Sequence, residues 1–137
     1  MSQYNNFLRL LEENKKYEII AQNLICKIFN VTIKAECTDA RFDFETSENI
    51  KYEVKTDHLS IKTGNYYIEF MGYGKSSGIS ISEANYYILT NVIDYHLIET
   101  IKLKDICKNK KIVKTKDGLT SGFLISYEDI KRNSLRL

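Results

Sequence analysis

The chain contains no proline and no tryptophan in 137 residues, while Lys, Ile, Asn and Tyr are abundant. That bias points to AT-rich coding and says little about chemistry. Apolar runs are only a few residues long, far short of the roughly 20 that a transmembrane helix needs. There is no CxxC, and the three cysteines, Cys26, Cys37 and Cys107, cannot all pair. Reduced thiols in a cytoplasmic protein are expected, in the host-cell cytoplasm if the protein is viral. The first residues, MSQYNNFLRLLEENKK, lack a basic n-region and a cleavage site, so no signal peptide is expected. Internal repeats, linkers and low-complexity blocks are missing too. What is present, 43% hydrophobic and 28% charged residues, is ordinary for a globule and excludes disorder, collagen and a coiled coil. One domain over 1–137 is expected, large enough to bury a core without staples.

Residues 4–29 read as one long helix. Phe7, Leu8, Leu10 and Leu11, then Ile20, Leu24, Ile25 and Ile28, recur at helical spacing. Ser2 or Asn5 is placed to cap it, no Gly or Pro breaks it, and Asn14-Lys15-Lys16 is the one place where it would divide. Short strands rich in Tyr, Phe, Ile, Val and Thr then follow at 39–46, 50–57, 65–71, 86–92 and 95–101. Short helices are expected at 82–86 and 102–108, further strands at 110–116 and 122–126, and a last helical turn or two at 127–135. A helix followed by a strand meander and mixed pieces predicts an α/β (α+β) fold with a central mixed sheet.

The segment 39–57 carries the chemical information. Alternate side chains of a strand share a face. Ile50, Tyr52 and Val54 form one face of the second strand, and Lys51, Glu53, Lys55 and Asp57 the other. In the first strand Ala40, Phe42 and Phe44 are expected together, opposite Arg41, Asp43 and Glu45. A three-residue loop, Ser47-Glu48-Asn49, pairs 46 with 50 and 43 with 53, with Asn49 suited to the left-handed position. A slip of one residue would send the charges into the core. Asp43 is therefore expected opposite Glu53, with Lys55 one step along. Facing carboxylates repel. Two hard carboxylates plus water and substrate phosphate suit Mg²⁺ or Mn²⁺, and a lysine beside them can hold the attacking water or stabilise phosphate charge. The plainer alternative is a solvated charged face.

Asp43, nine intervening residues, then Glu53-Val54-Lys55 resembles the signature of the PD-(D/E)XK nuclease superfamily. The stretches Thr63-Gly64-Asn65-Tyr66-Tyr67-Ile68-Glu69-Phe70, Gly74-Lys75-Ser76-Ser77-Gly78-Ile79 and Ala84-Asn85-Tyr86-Tyr87 are similar to those of small phage or viral endonucleases of that group. The likeness runs through about residues 15–130. Phe42 stands where the nominal Pro would be, and Asp39 is a competing candidate for the aspartate, although the gap and the register favour Asp43.

The resemblance implies a restriction-endonuclease-like core, a central mixed sheet flanked by helices, and Mg²⁺-dependent hydrolysis of DNA, duplex or branched, to a 5′-phosphate and a 3′-hydroxyl. Asp43 and Glu53 would ligate the metal, with the Val54 carbonyl as a further ligand, and Lys55 would orient or activate the water. An acid from the first helix often joins such sites. Glu18 is the better match and Glu13 the lesser. Glu69 would join if its strand lies in the same sheet. The implied partner is DNA, with a homodimer compatible and no membrane involved. The alternative is a non-catalytic nucleic-acid-binding or inhibitor module that keeps the fold.

Lys75, Ser76 and Ser77 form a basic turn able to contact phosphates, although Gly72-Tyr73-Gly74-Lys75 lacks P-loop spacing. Residues 102–116 hold seven lysines against Asp105 alone, Lys110, Lys111 and Lys114 among them, whereas 39–57 hold six acids. An acidic metal face with a basic flank suits a polyanion. His58 and His96 are isolated, which argues against zinc. Most of Tyr66, Tyr67, Tyr73, Tyr86 and Tyr87 are expected to pack, with base stacking as the alternative role.

Overall fold

The computed structural model describes residues 3–37, 39 and 41–137. Ser2, Ala40 and the side chain of Phe7 lie outside the described residues. Helix α1 (Gln3–Phe29) is unbroken, so Asn14-Lys15-Lys16 does not divide it. It stops at Asn30, whose φ of 53° is the left-handed conformation that asparagine tolerates at a helix end, and the Val31 N–H closes on the Cys26 carbonyl at 3.2 Å.

The remaining elements are β1 (Ile33–Glu36), β2 (Phe44–Thr46), β3 (Lys51–Thr56), α2 (Ser60–Thr63), β4 (Asn65–Gly72), β5 (Lys75–Ser76), a 3₁₀ turn (Gly78–Ser80), β6 (Tyr86–Thr90), β7 (Tyr95–Glu99), α3 (Thr100–Cys107), β8 (Ile112–Lys114), β9 (Thr120–Ser126), α4 (Tyr127–Asn133) and β10 (Leu135–Arg136). A six-stranded sheet runs β1-β2-β3-β6-β7-β10, and a four-stranded sheet runs β5-β4-β9-β8. In the first sheet only β3 and β6 are parallel. The mixed central sheet flanked by helices is thus present. The chain between β3 and β6 builds α2 and the first two strands of the second sheet.

β6 shows how the layers form. Ile88 packs with Ala21 and Ile25 of α1, while Tyr87 and Leu89 pack with Tyr66, Ile68 and Ile125 of the second sheet. Both faces of this strand are covered, so Tyr-Tyr-Ile-Leu is apolar without alternation.

Three expectations need correction. The first strand begins at Phe44 and not at 39; the chain bends before it. Phe42 consequently packs in the core between the sheets, whereas Phe44 packs under α1, so the two do not share a face. No helix forms at 82–86. The Glu83 and Asn85 N–H groups donate instead to the carbonyls of Arg41 (2.8 Å) and Lys51 (2.8 Å), and donors committed to another segment cannot close a helical turn. The short edge strand β1 had not been anticipated.

Candidate active site

The β2–β3 hairpin has the register the loop chemistry predicts. Phe44 pairs with Tyr52 and Glu45 with Lys51, the Thr46 N–H meets the Ile50 carbonyl at 3.0 Å, and Asn49 has φ 63°. Continuing that register sets Asp43 beside Glu53. Asp43 brackets it. The Asp43 N–H donates to the Tyr52 carbonyl at 2.8 Å, and its Oδ2 accepts the Val54 N–H at 2.6 Å. Glu53 is 8% exposed, and Lys55, two residues along the same face, brings Nζ to 3.4 Å from Glu53 Oε1.

Both carboxyls stay raised in spite of these partners. Burial pushes the Asp43 carboxyl above its usual range, against the opposing effect of the Val54 N–H and the Lys55 charge. Burial first, and then the Asp43 charge, pushes Glu53 up to about 7. Glu18 belongs to the same neighbourhood. Its own carboxyl is raised by burial and then by Asp43, and its charge is felt in turn at Glu53. The sequence had left Glu13 open for this role, but it is Glu18 that couples to the pair. Lys15, one helical turn back, reaches Glu18 at 3.2 Å and Glu36 of β1 at 3.6 Å, and Gln22 donates to Glu36 at 2.9 Å. Glu36, Gln22 and Lys15 were missed because the edge strand carrying Glu36 was missed.

The other candidates separate in space. Asp39 is clamped by Arg41 at 2.7 Å, which holds its carboxyl well below the usual range. That leaves Asp43 as the aspartate facing Glu53. Glu69 lies on β4 in the second sheet, not on the sheet of Asp43 and Glu53, and accepts a hydrogen bond from Ser77 Oγ at 2.7 Å. Ser77 therefore has its hydroxyl occupied inside the protein. Gly78 (φ 52°) is required by packing, since a Cβ there would stand 2.2 Å from the Glu69 carbonyl oxygen. Lys75 and Ser76 are exposed on β5. Lys110 is paired with Asp129 at 2.5 Å, so it serves as a staple to α4. Lys111 and Lys114 are exposed. The basic stretch does not make one face: Lys102 lines a groove with Glu48 and Arg132, and Lys114 lines a different cavity that includes Lys55.

Among the described residues no three His, Cys, Asp or Glu side chains are gathered as a ready-made metal cage. The donor set nevertheless fits Mg²⁺, which takes one or two carboxylates and completes its shell with water and phosphate oxygens. Half-buried Asp43 and buried Glu53 supply hard oxygens, and the charge of the one raises the other, a repulsion that a divalent cation would relieve. The Val54 carbonyl lies between Glu53 and Lys55 on the strand paired with β6. No family model, curated protein or solved structure matches this chain.

Proposed function

We propose that the protein is a Mg²⁺- or Mn²⁺-dependent nuclease that hydrolyses phosphodiester bonds of DNA. The observation that carries this reading is the pair of facing carboxyls of half-buried Asp43 and buried Glu53, both pushed upward, with the Lys55 ammonium beside them. Strained carboxyl pairs beside a cation cluster at functional sites. Asp43, Glu53 and the Val54 carbonyl would hold the metal, with Glu18 near enough to influence the charge of the site. The chemistry supplied by a bound Mg²⁺ is that of a Lewis acid, polarising a phosphoryl oxygen and easing deprotonation of water.

The chain's own residues do the rest. The Val54 N–H fixes the orientation of the Asp43 carboxylate. Glu53 holds the Lys55 ammonium in place. Lys55, with three N–H donors, holds the attacking water and offsets charge gathering on the phosphoryl oxygens in the transition state. The water oxygen forms a bond to phosphorus, the bond to the 3′-oxygen breaks, and that oxygen takes a proton. The products are a 5′-phosphate and a 3′-hydroxyl.

The test is cleavage of plasmid, linear and branched DNA with Mg²⁺ or Mn²⁺, by the parent and by Lys55→Ala. The variant should fold and bind DNA but not cut. A variant that cuts as well as the parent rules out this assignment. Retained DNA binding with no metal binding at millimolar Mg²⁺ or Mn²⁺ would instead assign a non-catalytic module.

A further inference from the structure

Lys55 has a second environment. Besides touching Glu53, it lines a cavity of about 610 Å³ built from residues of both sheets. Cavities of roughly 300–1,000 Å³ with apolar walls and a few polar groups hold small organic groups. The accessible walls are largely apolar, with Leu59, Tyr67, Val113 and Leu124 among them.

Tyr67 is fixed in place. Its hydroxyl bonds Thr120 Oγ1 at 2.8 Å. Its ring lies against Gly122, where an added Cβ would stand 2.6 Å from the ring carbons. A glycine backing and a tethered hydroxyl hold the ring rigidly at the wall of the cavity.

The lining carries charge of both signs, Lys55 and Lys114 against Asp57 and Glu69. Both carboxylates accept hydrogen bonds from groups of the protein itself. Asp57 accepts from the N–H groups of Leu59 (3.1 Å) and Tyr67 (3.0 Å), and Glu69 accepts from Ser77. Lys55 is engaged by Glu53, whereas Lys114, also in the lining, makes no ion pair among the described residues. A ligand matching this cavity has a flat apolar body and an anionic group able to reach Lys114.

We propose that the cavity receives an unpaired nucleotide of the strand to be cut, its base against Tyr67 and a flanking phosphate toward Lys114. This rests on the nuclease reading above and names its substrate class. In a blunt duplex the base faces are buried in the stack, so an aromatic wall gains nothing from them. Single strands, and branched substrates with unpaired nucleotides, are the polymers that can fill it.

The experiment is fluorescence anisotropy in EDTA, with a short labelled oligothymidylate and a blunt duplex of the same length. The single strand should bind about tenfold or more tighter, the range expected of base–aromatic stacking. Tyr67→Leu and Lys114→Ala should each lose most of that preference. Tyr67→Phe should keep it, and so should Lys102→Ala in the separate groove. Lys114 is exposed, so its variant tests the site without burdening the fold. Equal binding of duplex and single strand overturns the proposal, as does parental binding by both Tyr67→Leu and Lys114→Ala. Cleavage assayed separately distinguishes the two ideas. Cutting without strand preference sinks the cavity assignment alone, while strand preference without cutting in any divalent metal supports the cavity and sinks the nuclease reading.

Discussion

Two carboxylate sites on this fold are built in opposite ways. Where the turn before β8 meets the first turn of α4, Asp129 is met by Lys110 at 2.5 Å, by Arg132 at 2.9 Å and by Ser126 Oγ, which accepts the Asp129 N–H at 3.1 Å. Its carboxyl is held below the usual range, chiefly by the Lys110 hydrogen bond. On the hairpin, half-buried Asp43 and buried Glu53 stand side by side and are both pushed upward. The first site is complete in itself and ties the α3–β8 turn to α4. The second lowers the stability of the fold, and its arrangement has an evident use only if something positively charged comes to it. The charge of a single residue, read in isolation, does not distinguish the two; its partners do.

The most severe way to break the second site is Lys55→Ala. Cleavage should fall by about 10²–10³-fold or more, the scale of losing an electrostatic stabiliser of the transition state. The circular dichroism spectrum and DNA affinity should be close to those of the parent.

Next in size is Glu53→Gln. A carboxyl raised to about 7 from its ordinary 4.5 means that the folded chain binds more protons than the unfolded chain between those values. Without metal, stability therefore falls as the pH rises across that window and is lowest above it. Glu53→Gln should remove this slope and raise metal-free stability at pH 8 by on the order of 2 kcal/mol, while abolishing cleavage. Urea denaturation at pH 5 and pH 8 measures both effects.

Asp129→Asn makes the comparison sharper with the smallest effect. The same carboxylate-to-amide change should here lower stability at neutral pH, because this carboxyl is depressed on folding. The contribution of Asp129 is present above the ordinary aspartate range and lost as the pH falls through its lowered value. The pair is exposed enough that solvent weakens it, so the fall in melting temperature should be smaller than the rise given by Glu53→Gln, and opposite in sign.

The legible parts of this structure were those set by local chemistry. α1 followed from helical spacing with no breaker, and the hairpin register followed from the three-residue loop closed by Asn49, whereas the expectation of a solvated charged face failed at Glu53, which is buried. The illegible parts were non-local. Glu69 and Glu53 sit on similar strands in the sequence, and nothing in either strand says that they belong to different sheets. Lys110 looked like a free cation because its partner is 19 residues away. Phe42 and Phe44 alternate correctly for a strand, but the chain bends at Asp43, where its own backbone and side chain grip Tyr52 and Val54.

The most direct test of the account is thermal unfolding at pH 8 with increasing Mn²⁺, for the parent and for Asp43→Asn. A ligand that binds only the folded chain raises the melting temperature with its concentration. The account predicts a clear rise for the parent at millimolar Mn²⁺, much reduced at pH 5, where protons compete for Glu53, and lost in Asp43→Asn. A parent whose melting temperature is indifferent to Mn²⁺, or an Asp43→Asn variant that responds equally, would contradict it.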